Sequence, residues 1–107
     1  MSRIKICGLR RPEDIAAVNE ARPDYCGFIV EYPKSRRSID RATLRELVRG
    51  LREEIVPVGV FVNAPKELVA ELLEEGTIQI AQLHGQESQG YIQELKVLTE
   101  KPLIQAF

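Results

Sequence analysis

The chain has 107 residues, 44% of them apolar, and a formal net charge of −1. It is one domain or a piece of one, too apolar to be mostly disordered, and lacks the charge excess that draws nucleic acid or an anionic membrane. No apolar run reaches membrane-spanning length and the amino terminus has no signal-peptide core, so two cysteines and one methionine fit a reducing cytoplasm.

The first predicted strand runs from Arg3 to Cys7. Its alternation puts Ile4 and Ile6 on one face and Arg3, Lys5 and Cys7 on the other. The isoleucines then meet a layer of helices, and Lys5 and Cys7 face something polar. Gly8 permits a sharp turn, and Pro12-Glu13-Asp14 suits the first turn of a helix, where one N–H is unpaired anyway and the dipole favours acids. Ile15, Val18 and the alanines around them supply its apolar face. After the break at Arg22-Pro23-Asp24, Tyr25 to Val30 reads as a nearly continuous buried strand.

Glu31 to Ile39 reads as a polar loop carrying Lys34, Arg36 and Arg37. Asp40 is placed to cap a helix whose Leu44, Leu47, Val48 and Leu51 follow the i, i+3, i+4, i+7 rule. Val56 to Val62 is the most β-like stretch. The third helix buries Leu68, Val69, Leu72 and Leu73, with Gly76 at its carboxyl cap. Ile78 to His84 forms the next strand, with Ile78, Ile80, Gln82 and His84 on one side and Ala81 and Leu83 on the other. Tyr91, Ile92, Leu95 and Leu98 mark a fourth helix, and Pro102 to Phe107 a last strand.

This (βα)₄β alternation calls for a parallel sheet with right-handed crossovers. The spacing fits the first half of a (βα)₈ barrel and equally an open, flavodoxin-like five-stranded sheet. Length and pattern alone favour the open sheet, because a barrel typically needs about 200–250 residues.

In both architectures chemistry sits at the carboxyl ends of the strands. Those ends offer Cys7-Gly8, the arginine loop, Val62-Asn63 and Gln82 to Gly85, all on one face of the molecule. Taken alone, Cys7 reads first as a small buried thiol. As a base it needs its thiolate, only a few per cent populated near neutrality from a pKa of about 8.5. Lys5, about 6–7 Å away along the strand, and the following helix N-terminus both favour that anion. Arg36 or Arg37 can grip a carboxylate or phosphate through two parallel hydrogen bonds, or simply be solvated. His84 can donate to a substrate oxygen or move a proton, and a structural role fits it as well. Asn63 is better read as the cap of the next helix. Cys7 and Cys26 could pair only if geometry allowed it. A zinc site from Cys7, Cys26 and His84 lacks local ligand spacing and a fourth ligand. Gly59, Gly76 and Gly85 match neither a P-loop nor a dinucleotide fingerprint.

Four segments in register carry a more specific signal: Lys5-Ile6-Cys7-Gly8, Gly27 to Val30 with Ser35 to Ser38, Val58 to Asn63, and Gln82 to Gly85. Together they resemble phosphoribosylanthranilate isomerase, a (βα)₈-barrel family of tryptophan biosynthesis. The resemblance runs from Arg3 to Phe107 and spans about the first half of that barrel. It implies an Amadori rearrangement of N-(5-phosphoribosyl)anthranilate, an aminoaldose, to the aminoketose. In that reaction an acid protonates the ribose ring oxygen, the ring opens to a Schiff base, and a base takes the C2′ proton. The resulting enolamine tautomerises to the ketone.

The resemblance makes Cys7 the general base and Arg37 the holder of the anthranilate carboxylate. A one-residue insertion near Glu31-Tyr32 leaves Arg36 as the alternative. His84 and Gln82 match active-site positions, Lys5 lies beneath the base, and no cofactor or metal is implied. The family's general acid, an aspartate ending the sixth strand, and its phosphate-binding loops after strands seven and eight lie beyond the matched part. A 107-residue chain is therefore expected to be inactive or very weak alone and to pair with a carboxyl-terminal half barrel or self-associate. Its ligand is then a small phosphorylated molecule, with no nucleic acid or membrane partner. The competing expectation is a non-catalytic half-barrel binding or interaction module.

Overall fold

The computed structural model describes residues 5–32, 34, 36, 38–83 and 88–105. The strands are β1 (Lys5–Cys7), β2 (Tyr25–Val30), β3 (Ser38–Ile39), β4 (Val56–Phe61), β5 (Ile80–Leu83) and β6 (Leu103–Gln105). Between them lie α1 (Pro12–Ala21), α2 (Arg41–Arg49), α3 (Lys66–Glu74) and α4 (Gln89–Leu98). The main sheet is parallel in the order β1-β2-β4-β5-β6, and β3 pairs with the end of β2. The short β3 lies where the sequence pattern reads only loop. Two residues are too few for any periodicity to register.

Strand order decides between the two expected architectures. A flavodoxin-like sheet reverses its winding and carries helices on both faces. Here each strand of the main sheet sits beside the next in the chain, with no reversal. Ile15 and Val18 of α1, Leu44 and Leu47 of α2, Leu68, Val69, Ala70, Leu72 and Leu73 of α3 and Leu95 of α4 all join one buried cluster. The same cluster takes Cys26, Phe28, Val30, Phe61, Ala81 and Leu83 from the sheet, so all four helices cover one face. Val58 and Val60, on the opposite face by alternation, are buried but outside it. This is the winding of a (βα)₈ barrel, through its first five barrel strands, and the open-sheet alternative is set aside.

Local chemistry explains most element boundaries. The Asp14 carboxylate accepts from the Arg10 and Arg11 N–H groups, both at 3.1 Å, and so satisfies two donors at the start of α1. Asp40 caps α2 through Thr43 N at 2.8 Å, as its position predicts. α3 ends one residue before Glu75, and Gly76 follows at φ 84°, a left-handed conformation that costs a glycine little.

Four expectations fail in detail. Ile78 lies before β5 rather than within it, so the alternation does not run back to it. It is fully buried on the helix side, where its Cδ1 occupies space that a Cβ at position 59 would need. The alanines at 16 and 17 are exposed, leaving the burial of α1 to Ile15 and Val18. Leu98 is 44% exposed while Thr99 is buried, because α4 stops at Leu98 and Thr99 continues in an extended conformation. Asn63 does not cap α3; Pro65 holds that position, and Asn63 instead takes a left-handed φ of 50°.

Candidate active site

The site is built where the parallel strands end. Strand pairing sets Cys7 beside Gly27, and Gly27 beside Val58, which neighbours Ile80. The next row on the same face is Ile29, Val60, Gln82 and Ile104, about 6–7 Å further toward the carboxyl ends. Gly8 follows Cys7 at φ 85°, and the Gly8 and Leu9 N–H groups both donate to the Gly27 carbonyl, at 2.9 and 3.3 Å. The backbone around Cys7 is thus fixed on both sides, by the β1–β2 ladder and by this turn. The side chains of Lys5 and Cys7 lie outside what the structure describes, as do Arg37 and His84 entirely. Gln82 is half-buried in its row between Val60 and Ile104.

The arginine loop leaves β2 through Glu31, whose φ of 48° turns the chain away from the sheet. Its base is closed by Glu31 N donating to the Ile39 carbonyl at 2.8 Å and Tyr32 N donating to Ser38 Oγ at 2.6 Å. The Glu31 carboxylate accepts from both the backbone N and Nε of Arg41, at 3.2 and 2.9 Å. The network continues from Arg41 to Glu71 and from Arg45 to Glu71 and Glu75, joining the loop to α2 and α3. Arg36 is exposed, and its carbonyl accepts from Arg10 Nη1 at 3.0 Å. At the next strand end, the Tyr91 hydroxyl donates to the Ala64 carbonyl at 2.7 Å, which holds the segment after β4 against α4. No group of three or more His, Cys, Asp or Glu able to hold a metal occurs among the described residues. Among them, too, no helix is long and apolar enough to cross a membrane.

The family model for N-(5′-phosphoribosyl)anthranilate (PRA) isomerase matches residues 4–107. The chain belongs to the phosphoribosylanthranilate isomerase family. A protein named N-(5′-phosphoribosyl)anthranilate isomerase from Acetivibrio thermocellus is 45% identical over 98 residues, which cover 92% of this chain and 44% of the relative. The crystal structure of phosphoribosyl anthranilate isomerase from Thermus thermophilus superposes with a TM-score of 0.80 at 39% identity, over 99% of this chain and 52% of that one. Another phosphoribosyl anthranilate isomerase, in complex with reduced 1-(o-carboxyphenylamino)-1-deoxyribulose 5-phosphate, gives a TM-score of 0.85 at 32% identity, over 98% and 53%. The chain thus spans about half the length of the relatives it matches.

Sequence reasoning toward a phosphoribosylanthranilate isomerase finds the strand ends but misses the groups that hold the loops. Asp14, three residues after Arg11, has the spacing of a helix-capping acid, so its role was open to inspection. Arg10 with Arg36, and Glu31 with Arg41, join residues far apart in sequence and leave no local pattern.

At the base of the arginine loop, the Glu31–Arg41 contact of this isomerase-family chain favours the ionised carboxylate. The Arg41 guanidinium bonded to Glu31 holds its carboxyl below the usual value of 4.5. A lowered folded-state pKa means that the contribution is complete above the unfolded value and is lost as pH falls through the folded one. Thermal melts from neutral pH down to about 3 are therefore expected to show a shallower acid-side decline for Glu31→Gln than for the parent chain. Parallel acid limbs for the two proteins would exclude Glu31 as a source of that decline.

Proposed function

We propose that this chain supplies the first five barrel strands of a phosphoribosylanthranilate isomerase, acting on N-(5-phosphoribosyl)anthranilate in tryptophan biosynthesis. The observation that carries the reading is the shared strand-end face. The backbone position of Cys7, the arginine loop after β2 and Gln82 of β5 all lie toward the carboxyl ends of parallel strands of one sheet. In this reading Cys7, as thiolate, removes the C2′ proton of the ring-opened Schiff base, and the electron pair moves toward the iminium nitrogen to give the enolamine. Arg37, with Arg36 as the alternative, holds the anthranilate carboxylate. His84 and Gln82 contact the substrate, and Lys5 favours the thiolate. The acid that protonates the ring oxygen and the phosphate-binding groups come from the other half of the barrel. No metal or cofactor enters the reaction, and a reducing cytoplasm suits a thiolate base.

The sheet supports the need for a second half. Among the described residues β1 pairs with β2 alone and β6 with β5 alone, and such edges invite association. Pairing with a carboxyl-terminal half barrel, or self-association, satisfies them. The test is isomerase turnover by the isolated chain and then with the complementary half of a family barrel added. Turnover is expected to appear only in the mixture. A folded, stoichiometric complex without turnover would overturn the catalytic reading and favour a binding module.

A further inference from the structure

We propose that Arg10 is a positioning residue, its guanidinium tying the turn after β1 to the arginine loop so that this loop meets the substrate's carboxylate. The inference rests on the reading of that loop given above. Arg10 itself is held from both sides. The preceding Leu9 is buried in the core and donates to the Gly27 carbonyl. The Arg10 N–H donates to the Asp14 carboxylate, which also takes the Arg11 N–H. From this fixed base the side chain spans 26 positions of sequence to reach the Arg36 carbonyl at 3.0 Å.

The loop's ends are closed by Glu31 with Ile39 and by Tyr32 with Ser38, and the Arg10 bond reaches it near its tip. A neutral donor would serve a purely structural tether. Arginine instead brings a further cation to a loop that already carries Lys34, Arg36 and Arg37. Like charges so placed repel one another, and the arrangement is useful where an anion is to be bound. Arg10 thus joins the loop beside the proposed base to the loop of the proposed carboxylate grip and adds to the field between them.

Two measurements test this. In the 107-residue chain, Arg10→Ala is expected to speed amide exchange at Tyr32 and Ser38 by about 3–10-fold, the scale set by one lost hydrogen bond, while Val58 and Val60 in β4 keep their rates. Arg10→Lys, which keeps a charged donor, should restore much of the protection. Equal acceleration in β4 or no acceleration in the loop, with the lysine variant no different from the parent, would overturn the tether. In the completed barrel, Arg10→Ala is expected to raise KM about 5–10-fold with kcat nearly unchanged. That rise should disappear with the aniline analogue of the substrate, which lacks the carboxylate. A KM increase of the same size for both substrates would overturn the link to carboxylate binding. A barrel with no turnover at all would count against the proposed function, while the exchange rates still decide the tether.

Discussion

Replacing Cys7 by alanine is expected to lower isomerase turnover of the completed barrel by about 10²–10⁴-fold, the usual contribution of a positioned acid–base group. The loss should fall on kcat, because in the proposed reaction the thiolate acts in the proton transfer and not in holding the anthranilate or the phosphate. The substitution leaves the backbone anchors of this position in place. Cys7 is the last residue of β1, and its backbone is fixed by the pairing with Gly27 and by the Gly8 and Leu9 bonds to the Gly27 carbonyl. None of these involves the sulfur. Cys7→Ser, of similar size but a far weaker acid, should lose nearly as much, which separates proton abstraction from packing. The pH profile gives a second readout. The parent enzyme's kcat should rise with pH toward the thiol's pKa, while the residual activity of Cys7→Ala should lose that limb. Retention of activity within about threefold in the alanine variant would remove Cys7 from the role of base.

The strands and helices were legible because burial on one face leaves a period in the sequence. Ile15 and Val18, Leu44 and Leu47, and Leu68, Val69, Leu72 and Leu73 are all buried as their spacing predicts. Periodicity alone did not give the winding, since it tells which face of a strand is buried but not which strand lies beside it; the four motifs in register pointed to the barrel. The strand order and the shared helix face bear out the barrel over the open sheet. Of the candidate site, strand-end positions could be read from motifs in register. The loop supports could not. Arg10 finds the Arg36 carbonyl, and Arg41 finds Glu31, only after the chain has folded. The errors at Ile78 and Leu98 share one cause. Each apolar residue stands at the margin of a regular element, where the period stops and the local turn decides its direction.

Phe61→Ala should cost about 3–5 kcal/mol, a large part of the roughly 5–15 kcal/mol that holds a typical domain folded. Phe61 is fully buried on the helix face of β4, level with Leu83 of β5. Two residues back on the same face, Gly59 leaves room for its ring. A Cβ at position 59 would stand 2.9 Å from Phe61 Cε2, 3.1 Å from Phe61 Cζ and 2.8 Å from Ile78 Cδ1. Gly59→Ala is thus expected to cost about 1–3 kcal/mol through overpacking. The two substitutions should not add. Once the ring is gone, two of the three nearest atoms to the new methyl are removed, the flexible end of Ile78 remains, and the methyl fills part of the space that Phe61→Ala opens. Urea unfolding of both single variants and the double variant should give a coupling of at least about 0.5 kcal/mol, with the double variant more stable than the sum predicts. Where Phe61→Ala leaves too little folded protein to measure, Phe61→Leu serves the same cycle with a smaller cavity. Strict additivity would mean that the core beneath β4 relaxes around position 59 without the ring moving, and that Gly59 is not kept small by Phe61.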